Sequence, residues 1–214
     1  MLDEKIRLAK DNFFKQNYFD PNSSVYRLTE KGNDKGQGKS ILTLNVGTDE
    51  NICMTHYDKE GKCEFLNSHL GLLKRIDHFV LKKNNSKWEL HMFEMKTTVT
   101  ADKIPNIKNK FLASYWNIRV FSMFLGIKFD IEDVFLYTTY HDVDLNVATS
   151  TNPRGHIPPL GSGMKLPEQE WDSDHLKIKI IPYSNDGKDE IEFKHTKMKM
   201  KLVDDTLTGT LSLA

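Results

Sequence analysis

Between Arg75 and Val99 the chain reads RIDHFVLKKNNSKWELHMFEMKTTV, two strand-like apolar runs separated by a polar gap. This stretch constrains the fold most. Side chains alternate between the faces of a strand, and residues opposite each other in an antiparallel pair share a face. If 76–81 and 89–98 pair through a two-residue loop at Asn85-Ser86, Asp77 faces Glu94 directly. With the loop at Asn84-Asn85, Asp77 faces Met92 and Glu94 becomes its diagonal neighbour. Under either register Asp77, Glu94 and Lys96 lie on one face, beside Phe79, Leu81 and Leu90, with Ile76, Val80, Phe93 and Met95 on the other. An odd loop without a bulge would separate them.

Strands apolar on both faces are normally central and covered on both sides. Two like charges buried a few Å apart are costly. A divalent cation removes that cost, and hard carboxylate oxygens suit Mg²⁺ or Mn²⁺. Lys96 would then hold and polarise an attacking water, so the face reads as a site for phosphodiester hydrolysis. A buried acid–lysine ion pair would need only one of the two acids.

The rest of the chain supplies the setting. Residues 2–17 read as a helix with Leu2, Ile6, Ala9 and Phe13 on one side, and 18–40 as polar and turn-rich. ILTLNV (41–46) and ICMTHY (52–57) read as strands, while 63–73 fits either helix or strand. The strongest helix covers about 106–126, with Ile107, Phe111, Leu112, Tyr115, Ile118, Phe121 and Leu125 apolar, Pro105 in its first turn and Gly126 at its end. IEDVFLYTTY (131–140) reads as a strand. Residues 146–175 form a long loop with four of the seven prolines. Residues 176–184 and 191–203 read as a hairpin around Asp186-Gly187. No interdomain linker or internal repeat is visible, so 1–214 reads as one α/β domain, a core over 1–145 and an extension over 146–214.

This pattern resembles the PD-(D/E)xK nuclease superfamily, which has the restriction-endonuclease-like fold. The resemblance rests on Asp77 in RIDHFVL, on Glu94 and Lys96 in MFEMKTT, and on the order helix, three strands, helix, strand over about residues 1–140. It implies a mixed central sheet flanked by helices, here with an added C-terminal β-hairpin. It also implies a divalent-metal-dependent nuclease acting on DNA ahead of RNA, in roles such as restriction, repair or phage–host conflict. Asp77, Glu94 and the Met95 backbone carbonyl would ligate the metal, and Lys96 would position or activate the water. Glu4 or Glu64 would supply the further acid that many members carry. His69 would match the histidine of the RecB-like branch, but the Q-x-x-x-Y of that branch is absent, since Phe111 stands four before Tyr115. Ile76 replaces the usual proline before the Asp.

Lysines offer candidate phosphate contacts: Lys82, Lys83 and Lys87 in the turn, Lys103, Lys108 and Lys110 after the site, and Lys197, Lys199 and Lys201 alternating with Met198, Met200 and Leu202. The formal net charge of +0 argues against a protein coated in basic surface, though not against a local basic groove. The alternative is a non-catalytic nucleic-acid-binding or protein-interaction module in which the charges are structural.

Other motifs fail. KGNDKGQGKS leaves five residues between Gly32 and Gly38 where a phosphate loop needs four, and a strand follows it. HDVDLN lacks the glycine and glutamate of a calcium loop, having Val147 and Pro153 there, so Asp142 and Asp144 are expected to end a strand in solvent. His78 and His91 fall on the face opposite the acids, as core histidines would. Cys53 and Cys63 lack metal or redox spacing and read as reduced and buried. No membrane span or signal peptide is expected, which makes the cytoplasm the default location. Cutting both strands of a duplex would suit a homodimer, though nothing in the sequence demands one.

Overall fold

The computed structural model describes residues 2–15, 17–31, 38–59, 73–145, 167–179 and 190–213. The fold is mixed α/β and mostly sheet. The chain opens with α1 (Glu4–Phe13), β1 (Val25–Lys31), β2 (Lys39–Asn45) and β3 (Asn51–Met54). The opening stretch of the sequence becomes β4 (His78–Asn84) and β5 (Lys87–Met95). Then follow β6 (Thr98–Thr100), α2 (Lys103–Phe124), β7 (Val134–Tyr140), β8 (Asp142–Asp144), α3 (Pro167–Asp172), β9 (His175–Lys179), β10 (Glu190–Lys199), β11 (Lys201–Val203) and β12 (Thr206–Ser212).

The central sheet is six-stranded, in the order β3-β4-β5-β7-β10-β9. β3, β4 and β5 run antiparallel to one another, β7 is parallel to β5, and β10 is parallel to β7. A parallel pair needs a crossover, and α2 supplies it between β5 and β7. The helix is held on one sheet face by Ile104, Ile107, Phe111, Leu112, Tyr115 and Ile118, all buried with Phe79, Leu81, Leu90, Met92 and Leu136. Gly126 takes φ +69 just beyond its C-terminus, a left-handed position where glycine carries no Cβ penalty.

The opposite face corrects the expectation of a sheet flanked by helices. It is covered by a second sheet, β1-β2-β12-β11, whose Tyr26, Leu28, Leu42, Leu44 and Leu207 pack on Cys53, Val80, Phe93, Met95 and Tyr137 of the first. Two of these strands were not legible. β1 lies in the stretch read as turns, because Tyr26 and Leu28 alone carry its alternation. β12 follows a turn of Asp204 and Asp205, both at positive φ, as a tight two-residue hairpin requires.

The C-terminal hairpin forms, β9 against β10, but not as an appendage: β10 pairs with β7 and so extends the central sheet. The segment expected to run as one strand over 191–203 breaks at buried Met200, whose N–H donates to the Tyr140 carbonyl at 2.5 Å, and the chain passes from one sheet to the other. Asp142 and Asp144 are exposed in the short strand β8. His78 and His91 are buried on the face away from the acids, with His78 Nδ1 on the Thr55 carbonyl and His91 on Tyr137 and Glu89. Cys53 is buried and free. Cys63, Glu64, His69 and the Asp186-Gly187 turn lie outside the described residues. Among those described, no helix is long and apolar enough to cross a membrane.

Candidate active site

The β4–β5 hairpin closes through the two residues Asn85 and Ser86, with Asn84 paired to Lys87 and His78 to Phe93. Asn85 takes φ 56, the positive value a two-residue hairpin turn calls for, and asparagine tolerates it better than most residues. Of the two registers the sequence allows, this is the one that sets Asp77 opposite Glu94. The Asp77 N–H continues the ladder by donating to the Phe93 carbonyl at 3.2 Å.

The carboxylates converge on the α2 side of the sheet. Asp77 is 4% exposed and Glu94 is fully buried. Asp77 Oδ2 accepts the Met95 N–H at 2.6 Å, which fixes its rotamer and turns Oδ1 toward the helix. Lys110 reaches in from α2, with Nζ 2.7 Å from Glu94 Oε1 and 3.4 Å from Asp77 Oδ1. Lys96 Nζ also touches Glu94 Oε1, and donates to the Met95 carbonyl at 3.3 Å. Two ammonium groups thus share one carboxylate oxygen, while Glu94 Oε2 is buried with no hydrogen-bond partner. Native proteins rarely leave such an atom unmatched.

The electrostatics follow from that imbalance. Burial first, and then the Asp77 charge, push the Glu94 carboxyl up to about 7, against the opposing pull of Lys96 and Lys110. Burial alone would lower the Lys110 ammonium, but Glu94 and Asp77 outweigh it and raise it. Beside Glu94 on the same face, Thr138 Oγ1 pairs with His195 Nε2 at 2.9 Å, and burial drives His195 down to about 3, a neutral core imidazole.

The sequence reading of the other charges fares less well. Lys82 and Lys83 sit five and six residues along from Asp77, ~17–20 Å at ~3.3 Å per residue. Lys82 is buried with its ammonium on the Leu213 carbonyl at 2.9 Å, and Lys83 pairs with Glu50 at 2.7 Å, both at the end of the hairpin away from the acids. Lys103 donates to the Thr98 carbonyl at 3.0 Å and Lys108 pairs with Glu170. Lys197 is drawn into the carbonyls of Trp171 and Ser173, at 2.7 and 2.6 Å, rather than lining a groove. Lys199 and Lys201 are exposed but belong to different sheets. Glu4 is exposed and pairs with Arg7 in its own helix at 3.9 Å, not with the carboxylates.

Two residues stand near the acids in ways the sequence did not show. Lys110, read from the sequence as a candidate phosphate contact, is instead a partner of the acids; it stands three after Ile107 and four before Ser114, on the buried stripe of α2. A lysine on such a stripe is the signal that would have found it. Glu30 in β1 has its carboxyl raised by burial and then by Asp77, with Lys96 opposing. Nothing local in the sequence links it to Asp77, 47 residues later in the chain.

Among the described residues, no three His, Cys, Asp or Glu side chains gather in a metal-binding cluster. The donors at hand are the Asp77 and Glu94 carboxylates and the Met95 carbonyl. They are hard oxygens, Lys110 already bridges the two carboxylates while Lys96 holds Glu94 and the Met95 carbonyl, and Glu94 Oε2 is unmatched, so the donors are of the kind a small divalent ion takes. Comparison with family models, with curated proteins and with solved structures gives no match.

Proposed function

We propose that the protein is a divalent-metal-dependent nuclease of the PD-(D/E)xK type, hydrolysing phosphodiester bonds in nucleic acid, DNA ahead of RNA. The observation that carries this reading is the buried Asp77–Glu94 pair with an unmatched Glu94 oxygen and a lysine two residues on. The topology supports it. Leaving aside β1 and β2 of the second sheet and the short β6, the order is α1, an antiparallel β3-β4-β5 meander, the crossover helix α2 and the parallel strand β7, the order the superfamily uses, with the aspartate before β4 and the glutamate and lysine at the end of β5.

In this reading Asp77, Glu94 and the Met95 carbonyl hold Mg²⁺ or Mn²⁺. Such an ion supplies charge neutralisation at the phosphoryl oxygens in the transition state and makes water more acidic. The chain's own groups do the positioning. The Met95 N–H fixes Asp77 so that Oδ1 stays presented. The Lys96 N–H is bonded to the Thr139 carbonyl at 2.9 Å, which anchors that lysine's backbone while its ammonium stays beside Glu94 and the Met95 carbonyl. From there the Lys96 ammonium would orient the attacking water and stabilise the negative charge that builds on its oxygen.

A second reading has an observation of its own. Lys96 and Lys110 already neutralise the two acids one for one, as a purely structural ion cluster in a non-catalytic binding protein would. The deciding experiment is cleavage of plasmid and single-stranded substrates in Mg²⁺ or Mn²⁺, with wild type beside Asp77→Ala and Lys96→Ala. The nuclease reading requires cleavage that EDTA stops and both variants lose. Metal-independent cleavage, or equal activity in the variants, would leave the structural cluster standing.

A further inference from the structure

We infer that Lys110 is a built-in counterion that occupies the cation position between Asp77 and Glu94 and must be expelled before a divalent ion can bind. The inference rests on the nuclease reading for the identity of the ion it excludes.

The geometry puts one ammonium where one metal would go. Lys110 Nζ touches Glu94 Oε1 at 2.7 Å and Asp77 Oδ1 at 3.4 Å, bridging the two carboxylates. These are two of the three carboxylate oxygens left for a cation once Met95 N–H has taken Asp77 Oδ2, the third being Glu94 Oε2. Charge balance then argues for exchange rather than addition. With both acids ionised, two carboxylates and two ammoniums sum to zero in a site almost closed to water. Adding two positive charges on top would leave the cluster doubly positive, whereas releasing Lys110 leaves a single excess charge, which a phosphate then meets.

Lys110 is also the lysine able to leave. Its backbone is fixed in α2, where Ser114 one turn later accepts the Ile76 N–H at 2.9 Å and ties the helix to the start of β4. Its ammonium sits at the end of a four-carbon stem, and the Lys110 and Lys96 side chains are 20% and 21% exposed, so exposure does not separate them. What singles out Lys110 is that both its acceptors are the carboxylates an ion would take, whereas Lys96 also has the Met95 carbonyl, an acceptor outside the carboxylates. The unmatched Glu94 Oε2 gives an incoming ion an oxygen that no ammonium holds. The site is thereby kept neutral and folded without metal, and its metal affinity is set below that of the bare carboxylate pair.

The test uses Mn²⁺ binding, read as loss of the free-ion electron paramagnetic resonance signal, with wild type and Lys110→Met, which keeps the stem and removes the charge. The inference predicts at least tenfold tighter Mn²⁺ binding by Lys110→Met, together with a lower melting temperature in EDTA. A folded Lys110→Met that binds Mn²⁺ no more tightly than wild type overturns it, because a lysine that only supports the fold or the substrate has no reason to compete with metal. A second measurement needs no variant. Acetic anhydride labelling of wild type, read by mass spectrometry, should modify Lys110 severalfold faster in saturating Mn²⁺ than in EDTA, and an unchanged or slower rate overturns the inference. If wild type still cleaves in a metal-dependent way while these results fail, only the role of Lys110 falls. If neither protein binds Mn²⁺, the inference falls as well, and cleavage by wild type judges the nuclease reading separately.

Discussion

The two ends of the β4–β5 hairpin carry similar charges and treat them differently. At the turn end the buried and half-buried charges have partners of their own. Lys83 pairs with Glu50, Lys82 meets the Leu213 carbonyl, and Glu89 uses one oxygen on Asn84 and the other on His91. At the other end two lysines crowd one oxygen of Glu94 while its second oxygen has none. The same residue type, five positions apart on one strand, is pushed in opposite directions. Hydrogen bonding from His91 leads in holding the Glu89 carboxyl low, and burial leads in driving Glu94 up to about 7. A chain that satisfies charges at one end can do so at the other. Under the nuclease proposal the mismatch around Glu94 is where a metal ion would bind.

Substitutions at the two ends should break this contrast by very different amounts. Lys96→Ala is expected to lower metal-dependent cleavage by about 10²–10⁴-fold, the usual worth of a positioned proton-handling group. Glu89→Gln, at the turn end, should leave the rate within about twofold. Initial rates on plasmid measure both, and a comparable loss in Glu89→Gln would remove the distinction.

The pH dependence of stability sharpens it further. Folding raises the Glu94 carboxyl from 4.5 to about 7, so across that interval the folded protein holds a proton that the unfolded chain releases. Its contribution to stability is greatest below pH 4.5 and declines by about 3 kcal/mol as pH rises to about 7. Glu89 has the opposite sign. Its carboxyl is held below 4.5, so its contribution is present above that pH and lost as pH falls through the lowered value. Denaturant melts in EDTA over pH 4–8 should show the Glu94 slope in wild type and a flatter curve in Glu94→Gln.

Mg²⁺ should act at one end alone. At a hundred times its dissociation constant a specific ion stabilises by about 2.7 kcal/mol, which for a chain of this size raises the melting temperature by about 5–10 °C. Asp77→Asn should abolish that rise and Lys83→Ala should retain it, as thermal scans with and without Mg²⁺ will show. The smallest effect concerns the turn that fixes the register. Asn85→Ala places an alanine at positive φ and should cost about 1 kcal/mol in a denaturant melt, with Asn85→Gly near neutral.

Much of this site was legible in the sequence because strand parity is a strong constraint. Once 76–81 and 89–98 are read as paired strands with an even loop, Asp77, Glu94 and Lys96 must share a face, and they do. The choice between the two possible loops was not legible, since Asn84-Asn85 and Asn85-Ser86 offer similar turn chemistry. The second sheet was hidden because β1 and β12 are short of apolar alternation and β12 joins β1 only through β2, which lies next to β1 but far from β12 in the chain. The turn lysines misled for a physical reason. Adjacency in sequence to a hairpin says nothing about which end of it a side chain occupies, and Lys82 and Lys83 stand at the far one. Lys110 was hidden by composition, one lysine among three in eight residues, until the helix placed it on the buried side.

The central claim is that the Asp77–Glu94 end of the hairpin is a divalent-ion site and the Glu89 end is not. Titration of Mn²⁺ into wild type, Glu94→Gln and Glu89→Gln tests it most directly. The account predicts one bound ion in wild type and in Glu89→Gln, and a loss of at least tenfold in affinity in a folded Glu94→Gln. No bound ion in wild type, or equal binding by all three proteins, would contradict it.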